Sequence, residues 1–208
     1  MVRPRQTAML DSARSGTDQR VVFRDISWEQ YRALDAARGN KAVPRLTYFE
    51  GVLEFMTPSD RHEDWKKLIA RLVEAYGDEL QIPLIGMGST TFRKKAKQSG
   101  LEPDECYCLG AKKNVPDFAI EIVHTGAGVE KLVVYERLGI PEVWFWIRGR
   151  FHLFSLSEGG YESRARSRFL PDLDLEELAA IVVGSEPSDQ PKAVWEYRAH
   201  LRSRRTKK

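Results

Sequence analysis

Cysteine is scarce in this chain: only Cys106 and Cys108 occur among 208 residues, two apart on an expected strand, where they cannot easily bridge each other. A disulfide framework is therefore not read. The two side chains are expected to be buried thiols in a reducing compartment, which points to a cytoplasmic protein. Histidine is nearly as rare, with four. His124 has no cysteine or histidine at zinc-ligand spacing nearby, so no zinc site is read there. No stretch approaches the roughly 18 consecutive apolar residues that a membrane span requires. The first residues, Met1-Val2-Arg3-Pro4-Arg5, have no apolar signal core behind them, so secretion is not expected. A strong excess of one charge is missing too: net +3 permits nucleic-acid binding without arguing for it. There is no internal repeat.

What the chain does have is an apolar fraction of 42% beside 30% charged residues, which suits a soluble fold with a sizeable core. Residues 1–19 are polar and aperiodic and read as a loose leader. Residues 20–183 carry the patterned segments. Residues 184–208 read as a linker, a helix and a basic tail.

The patterning alternates between types. Ser27 opens a helix signal with Tyr31, Leu34 and Ala37 on one side. Arg45–Phe49 and Val52–Met56 read as a hairpin turning at Glu50-Gly51. A helix is expected from Thr57-Pro58 to about Gly77, with Thr57 as its cap and Trp65, Leu68, Ile69, Leu72, Val73 and Tyr76 along one face. Strands are expected at 83–87, 90–93, 105–109, 115–123, 143–147 and 151–156. Helices are expected at 130–138, closed by Gly139, and near 173–181. The order implies an α/β core with a mixed sheet flanked by helices.

The stretch Val115-Pro116-Asp117-Phe118-Ala119-Ile120-Glu121-Ile122-Val123 is where chemistry enters. Strand alternation puts Phe118, Ile120 and Ile122 on one face and Asp117, Ala119, Glu121 and Val123 on the other. Carboxylates on an apolar strand are costly unless something neutralises them. A divalent cation does so, because hard ions such as Mg²⁺ take carboxylate oxygens and water. Asp104, in Glu102-Pro103-Asp104 just before the neighbouring strand, is placed to share that metal with Glu121. Lys131, at the start of the following helix, points back over the same end and would assist a water or stabilise developing phosphate charge. Asp117 stands either as a turn cap or as a supporting acid. Glu54 on the hairpin and His62 in the first turn of the long helix are further supporting candidates, each with a plain surface reading beside it. The run Arg93, Lys94, Lys95, Lys97 reads as phosphate-contacting or as solvated surface.

Taken together, "EPDECY" (102–107), "PDFAIEIV" (116–123), "EKLVVYERLGIPEVWFW" (130–146) and "FLPDLDL" (169–175) resemble the PD-(D/E)XK nuclease superfamily, and within it the restriction endonuclease family of the Uma-two type. The resemblance runs from the hairpin at Glu50 to Leu173. It implies a restriction-endonuclease-like core with the hairpin N-terminal to it and a helical extension after it. It also implies metal-dependent cleavage of DNA phosphodiesters with Mg²⁺ or Mn²⁺, Asp104 and Glu121 as metal ligands, and Lys131 as the catalytic lysine. The superfamily's usual lysine, two residues after the second acid, is Val123 here, so Lys131 would supply that cation. Relatives of this type often look dimeric, and cutting both strands with one site per chain favours a two-fold pair. The alternative is a catalytically inactive DNA-binding or interaction module that keeps the fold. Paired carboxylates also occur in glycosidases, but here they lack aromatic, loop-rich surroundings.

Overall fold

The computed structural model describes residues 16–123 and 131–205. Most of the expected leader (1–15), the connection 124–130 with His124, Gly126 and Gly128, and the tail end 206–208 lie outside the described residues.

Two sheets form the frame. The first sheet takes β1 (Gln19–Phe23), β2 (Arg45–Phe49), β3 (Val52–Thr57), β5 (Phe92–Lys94) and β6 (Ser99–Leu101), in the order β1-β3-β2-β6-β5. The second takes β4 (Leu84–Gly86), β7 (Glu105–Leu109), β8 (Phe118–Val123), β9 (Glu142–Ile147), β10 (Arg150–Ser157) and β11 (Gly160–Arg164), in the order β11-β10-β9-β8-β7-β4. It is mixed: β8 and β9 run parallel, joined through α3 (Lys131–Leu138), while its other pairs are antiparallel. The remaining helices are α1 (Trp28–Arg38), α2 (Asp60–Leu80), α4 (Leu175–Val183) and α5 (Gln190–Arg205).

The alternation along β8 decides what covers each face. Phe118, Ile120 and Ile122 are buried with Trp144 and Trp146 against α2, α4 and α5. Ala119 faces the other way, into a second cluster with Cys106, Val134, Leu138 and Phe145, beneath α3. Trp144, Trp146 and both cysteines are core residues.

Several boundaries move from their expected places for local reasons. The long helix is capped by Ser59, whose hydroxyl accepts from His62 N at 3.2 Å, while Thr57 ends β3. That helix also runs past Gly77 to Leu80. Gly77 is a packing notch there, since a Cβ on it would stand 2.7 Å from Leu84 Cδ1. Strands β6 and β11 are short and carry no alternation signal long enough to read. Strand β1 begins at Gln19, inside the stretch expected to be loose. Helix α5 starts at Gln190 and buries Val194, Tyr197 and Leu201 in the main core, so the C-terminal segment is packed onto the domain.

Candidate active site

The first sheet brings a polar face to the second. In the β2–β3 register, Arg45 stands opposite Met56 and Thr47 opposite Glu54, while β1 adds Arg20 and Val22 on the same side. The reverse side carries Leu46, Tyr48, Leu53 and Phe55, packed with Trp28 and Tyr31 of α1. One face thus builds a core, and the other presents Arg20, Arg45 and Glu54 inward. Arg45 and Glu54 are both buried.

The acids meet this face at the end of β7 and β8. The antiparallel register pairs Cys106 with Ala119 and Glu105 with Ile120. One step further sets Asp104 level with Glu121. Neither residue has any exposed surface. Asp104 has left the ladder, and its Oδ2 accepts from Ile122 N at 2.6 Å. Its Oδ1 meets Arg45 Nη1 and lies 2.8 Å from His62 Nε2. Glu121 accepts from Lys131 Nζ at 2.6 Å through Oε2, and from the Tyr135 hydroxyl through Oε1. Val123, at the superfamily's usual lysine position, packs into the apolar cluster under α3.

His62 links this pair to a third acid. Its Nδ1 lies 3.0 Å from Asp18 Oδ2, and Asp18 also accepts from Ser59 N at 2.9 Å and Ser59 Oγ at 3.1 Å. Burial pushes the His62 pKa below its ordinary value; Asp18 pulls it back up, and Arg45 and Lys131 push it down again. Burial would raise the Asp18 carboxyl, but the His62 and Ser59 hydrogen bonds outweigh it and hold Asp18 well below the carboxylate range. Burial and the adjacent Glu121 raise the Tyr135 hydroxyl well above its ordinary value, so Tyr135 is a neutral donor.

The structure therefore brings Asp104, Glu121, Lys131 and His62 together, and it sets Glu54 on the facing sheet, 3.6 Å from Arg20. Asp117 is elsewhere. At the far end of β8 its Oδ2 accepts from Leu109 N at 2.7 Å and pairs with Lys113 Nζ at 2.6 Å, closing the β7–β8 loop. That is the turn-cap role, four residues and about 13 Å of strand from Glu121. The supporting role expected of Asp117 is not one this geometry offers.

Sequence reasoning missed three members of the cluster. Arg45 was legible only as a charged residue alternating with apolar ones. Tyr135 stands one helical turn after Lys131, a spacing that places both on one face. Asp18 sits in a segment with no pattern at all.

The carboxylates keep acceptor positions of the kind that hard divalent cations take. A carboxylate offers about four acceptor positions. Glu121 uses two and Asp104 three, and both buried oxygens of Glu54 make no hydrogen bond among the described residues. No three His, Cys, Asp or Glu side chains stand together as a metal-binding group among the described residues. Two carboxylates completed by water suffice for Mg²⁺, which keeps much of its hydration.

The mixed sheet with its flanking helices is a restriction-endonuclease-like α/β fold. The model of the Uma2 family, described as "Putative restriction endonuclease", matches residues 28–183, well over half of the chain, and the chain belongs to that family. No curated protein matches it. One solved structure, titled as a "putative nuclease belonging to DUF820" from Anabaena variabilis, is similar at 14% identity and a TM-score of 0.49, covering 67% of this chain and 92% of that one. No helix among the described residues is long and apolar enough to cross a membrane.

Proposed function

We propose that this protein is a metal-dependent DNA endonuclease, with Asp104 and Glu121 as the ligands of a Mg²⁺ or Mn²⁺ ion and Lys131 as the catalytic cation. The observation that carries the reading is the pair of wholly buried acids, Glu121 on β8 and Asp104 immediately before the adjoining β7, with the Lys131 ammonium 2.6 Å from Glu121. Buried charge of this kind is costly to keep without a task.

When bound, the ion supplies Lewis acidity at a phosphodiester oxygen and a more acidic water. The chain's own residues do the rest. Arg45 and Ile122 N fix the Asp104 carboxylate, one on each oxygen. His62, locked between Asp18 and Asp104, positions that carboxylate further. Tyr135 holds the other oxygen of Glu121, and Lys131 keeps its ammonium beside that carboxylate, where it would stabilise charge developing on a phosphate oxygen. A two-fold pair of such chains would present one site to each DNA strand.

The test is the relaxation of supercoiled plasmid by purified protein with Mg²⁺, with Mn²⁺ and with chelator. Nicking in both metals and none in chelator is expected. Intact plasmid under all three conditions would favour the non-catalytic module.

A further inference from the structure

Three of the cavities on the described residues are comparable in size, and their charge separates them. One, between the start of α2, the β9–β10 turn and the end of α4, sets Arg61 and Arg148 against Asp64 and Glu186. Another, beside α4 and α5, sets Arg164, Arg166 and Arg204 against Asp172, Asp174 and Glu176. Both are balanced. The third, a groove of about 500 Å³ between the end of α1 and the strands before Asp104, holds Arg32, Arg38, Lys41 and Arg93 against Asp35 and Glu102. Four cations against two acids leave it a net +2.

The acids of this groove are internal struts. Asp35 is buried and accepts from Arg38 at 3.1 Å, Arg32 at 3.3 Å and Arg93 at 2.5 Å. Glu102, also buried, is held by both terminal nitrogens of Arg38 and by Thr91 Oγ1 at 2.5 Å. Three guanidinium groups are thus fixed before any ligand arrives, which spares the side-chain entropy that flexible cations lose on binding. An arginine has five N–H donors, so these struts leave donors over for a ligand. Arg32 and Arg93 keep 44% and 30% of their side-chain surface exposed, and Lys41 is exposed.

The groove is also tied to the candidate active site. Glu102-Pro103-Asp104 spans two residue steps, at most about 7 Å of chain. Ser89, on the groove wall, donates to the Asp104 carbonyl at 3.3 Å.

We infer that this groove is the backbone-binding subsite for the DNA, with Arg32, Lys41 and Arg93 taking phosphates of the strand that runs on to the candidate active site. The inference rests on the endonuclease reading, whose substrate it positions. The contacts are to phosphate alone, so they fix register and orientation without reading sequence. Arg38 is a positioning residue that holds Glu102 and Asp35 in place.

The experiment is fluorescence anisotropy of a duplex of about 20 base pairs over a salt series, with Ca²⁺ in place of Mg²⁺. Each phosphate contact contributes about 0.9 to the slope of log affinity against log salt. The double variant Arg32→Ala, Lys41→Ala should therefore lower the slope by about 1.8. With binding lines that meet near 1 M salt, that is about a 60-fold loss at 0.1 M. Each single variant should carry about half of the change, and the pair Arg164→Ala, Arg166→Ala in the balanced cavity should leave the slope as it was. Wild-type slope in the Arg32/Lys41 variants, with DNA still bound in Ca²⁺ and plasmid still nicked in a parallel Mg²⁺ reaction, would overturn the groove assignment while leaving the nuclease reading intact. A wild-type protein that binds no DNA would overturn both.

Discussion

Lys131→Met keeps the length and apolar stem of the side chain and removes only its charge. Lys131 is about 10% exposed and Glu121 not at all, so the change strands a carboxylate in the interior with one remaining donor, Tyr135. Removing one partner of a buried ion pair costs about 3–5 kcal/mol. The retained Tyr135 bond puts this case at the lower end, about 3 kcal/mol. For a domain of this size that corresponds to a fall in Tm of roughly 6–12 °C. Urea and thermal unfolding without metal measure it directly. Tyr135→Phe removes the other donor and should cost about 1–2 kcal/mol, because the ion pair remains. A Lys131→Met protein as stable as the wild type would refute the buried pair, and with it the claim that α3 delivers its ammonium to Glu121.

Two further expectations concern the surrounding frame. The folded Asp18 carboxyl titrates below its ordinary 3.8, so it contributes stability that is present above that value and is lost as pH falls further. Asp18→Asn should therefore flatten the acid limb of a stability–pH profile below about pH 4, and an unchanged limb would count against the His62–Asp18 contact. In the first sheet, a Cβ on Gly100 would meet Tyr31 at 2.9 Å from Cζ and 3.1 Å from Cε1. That ring is stacked on Tyr48 at 4.8 Å and cannot easily retreat, so Gly100→Ala should cost about 3 kcal/mol by overpacking. Denaturant unfolding with little change would show that α1 packs more loosely than described.

The parts of this fold that were legible in the sequence are those written in local periodicity. The β8 alternation separated Phe118, Ile120 and Ile122 from Ala119 and Glu121, and the structure divides them between two cores in that way. The apolar stripe of α2 and the Glu50-Gly51 turn were legible for the same reason, as each is set by neighbours a few residues apart. The acids Asp104 and Glu121 stood out because charge in an apolar setting is costly. What could not be read depends on distant contacts. Arg45 reaches Asp104 across 59 positions, and Asp18 reaches His62 across 44. No local pattern encodes either meeting. Asp117 was ambiguous because a strand-entry acid has the same sequence signature whether it closes a loop or faces a site, and only the Leu109 and Lys113 contacts separate the two. Helix α5 read as an appendage because Val194, Tyr197 and Leu201 make a sparse stripe, yet those three residues close one side of the main core.

The central claim is that Glu121 and Asp104 act together on a metal-dependent cleavage. Glu121→Gln keeps the size of the side chain and its capacity to accept from Tyr135, while removing the anionic oxygens. Its single-turnover rate of plasmid nicking in saturating Mg²⁺, set beside the wild type, is the most direct measurement. A fall of about 10²-fold or more, with the folded state intact by circular dichroism, is the expected result for loss of one preorganised charged group. Nicking at the wild-type rate would contradict the account.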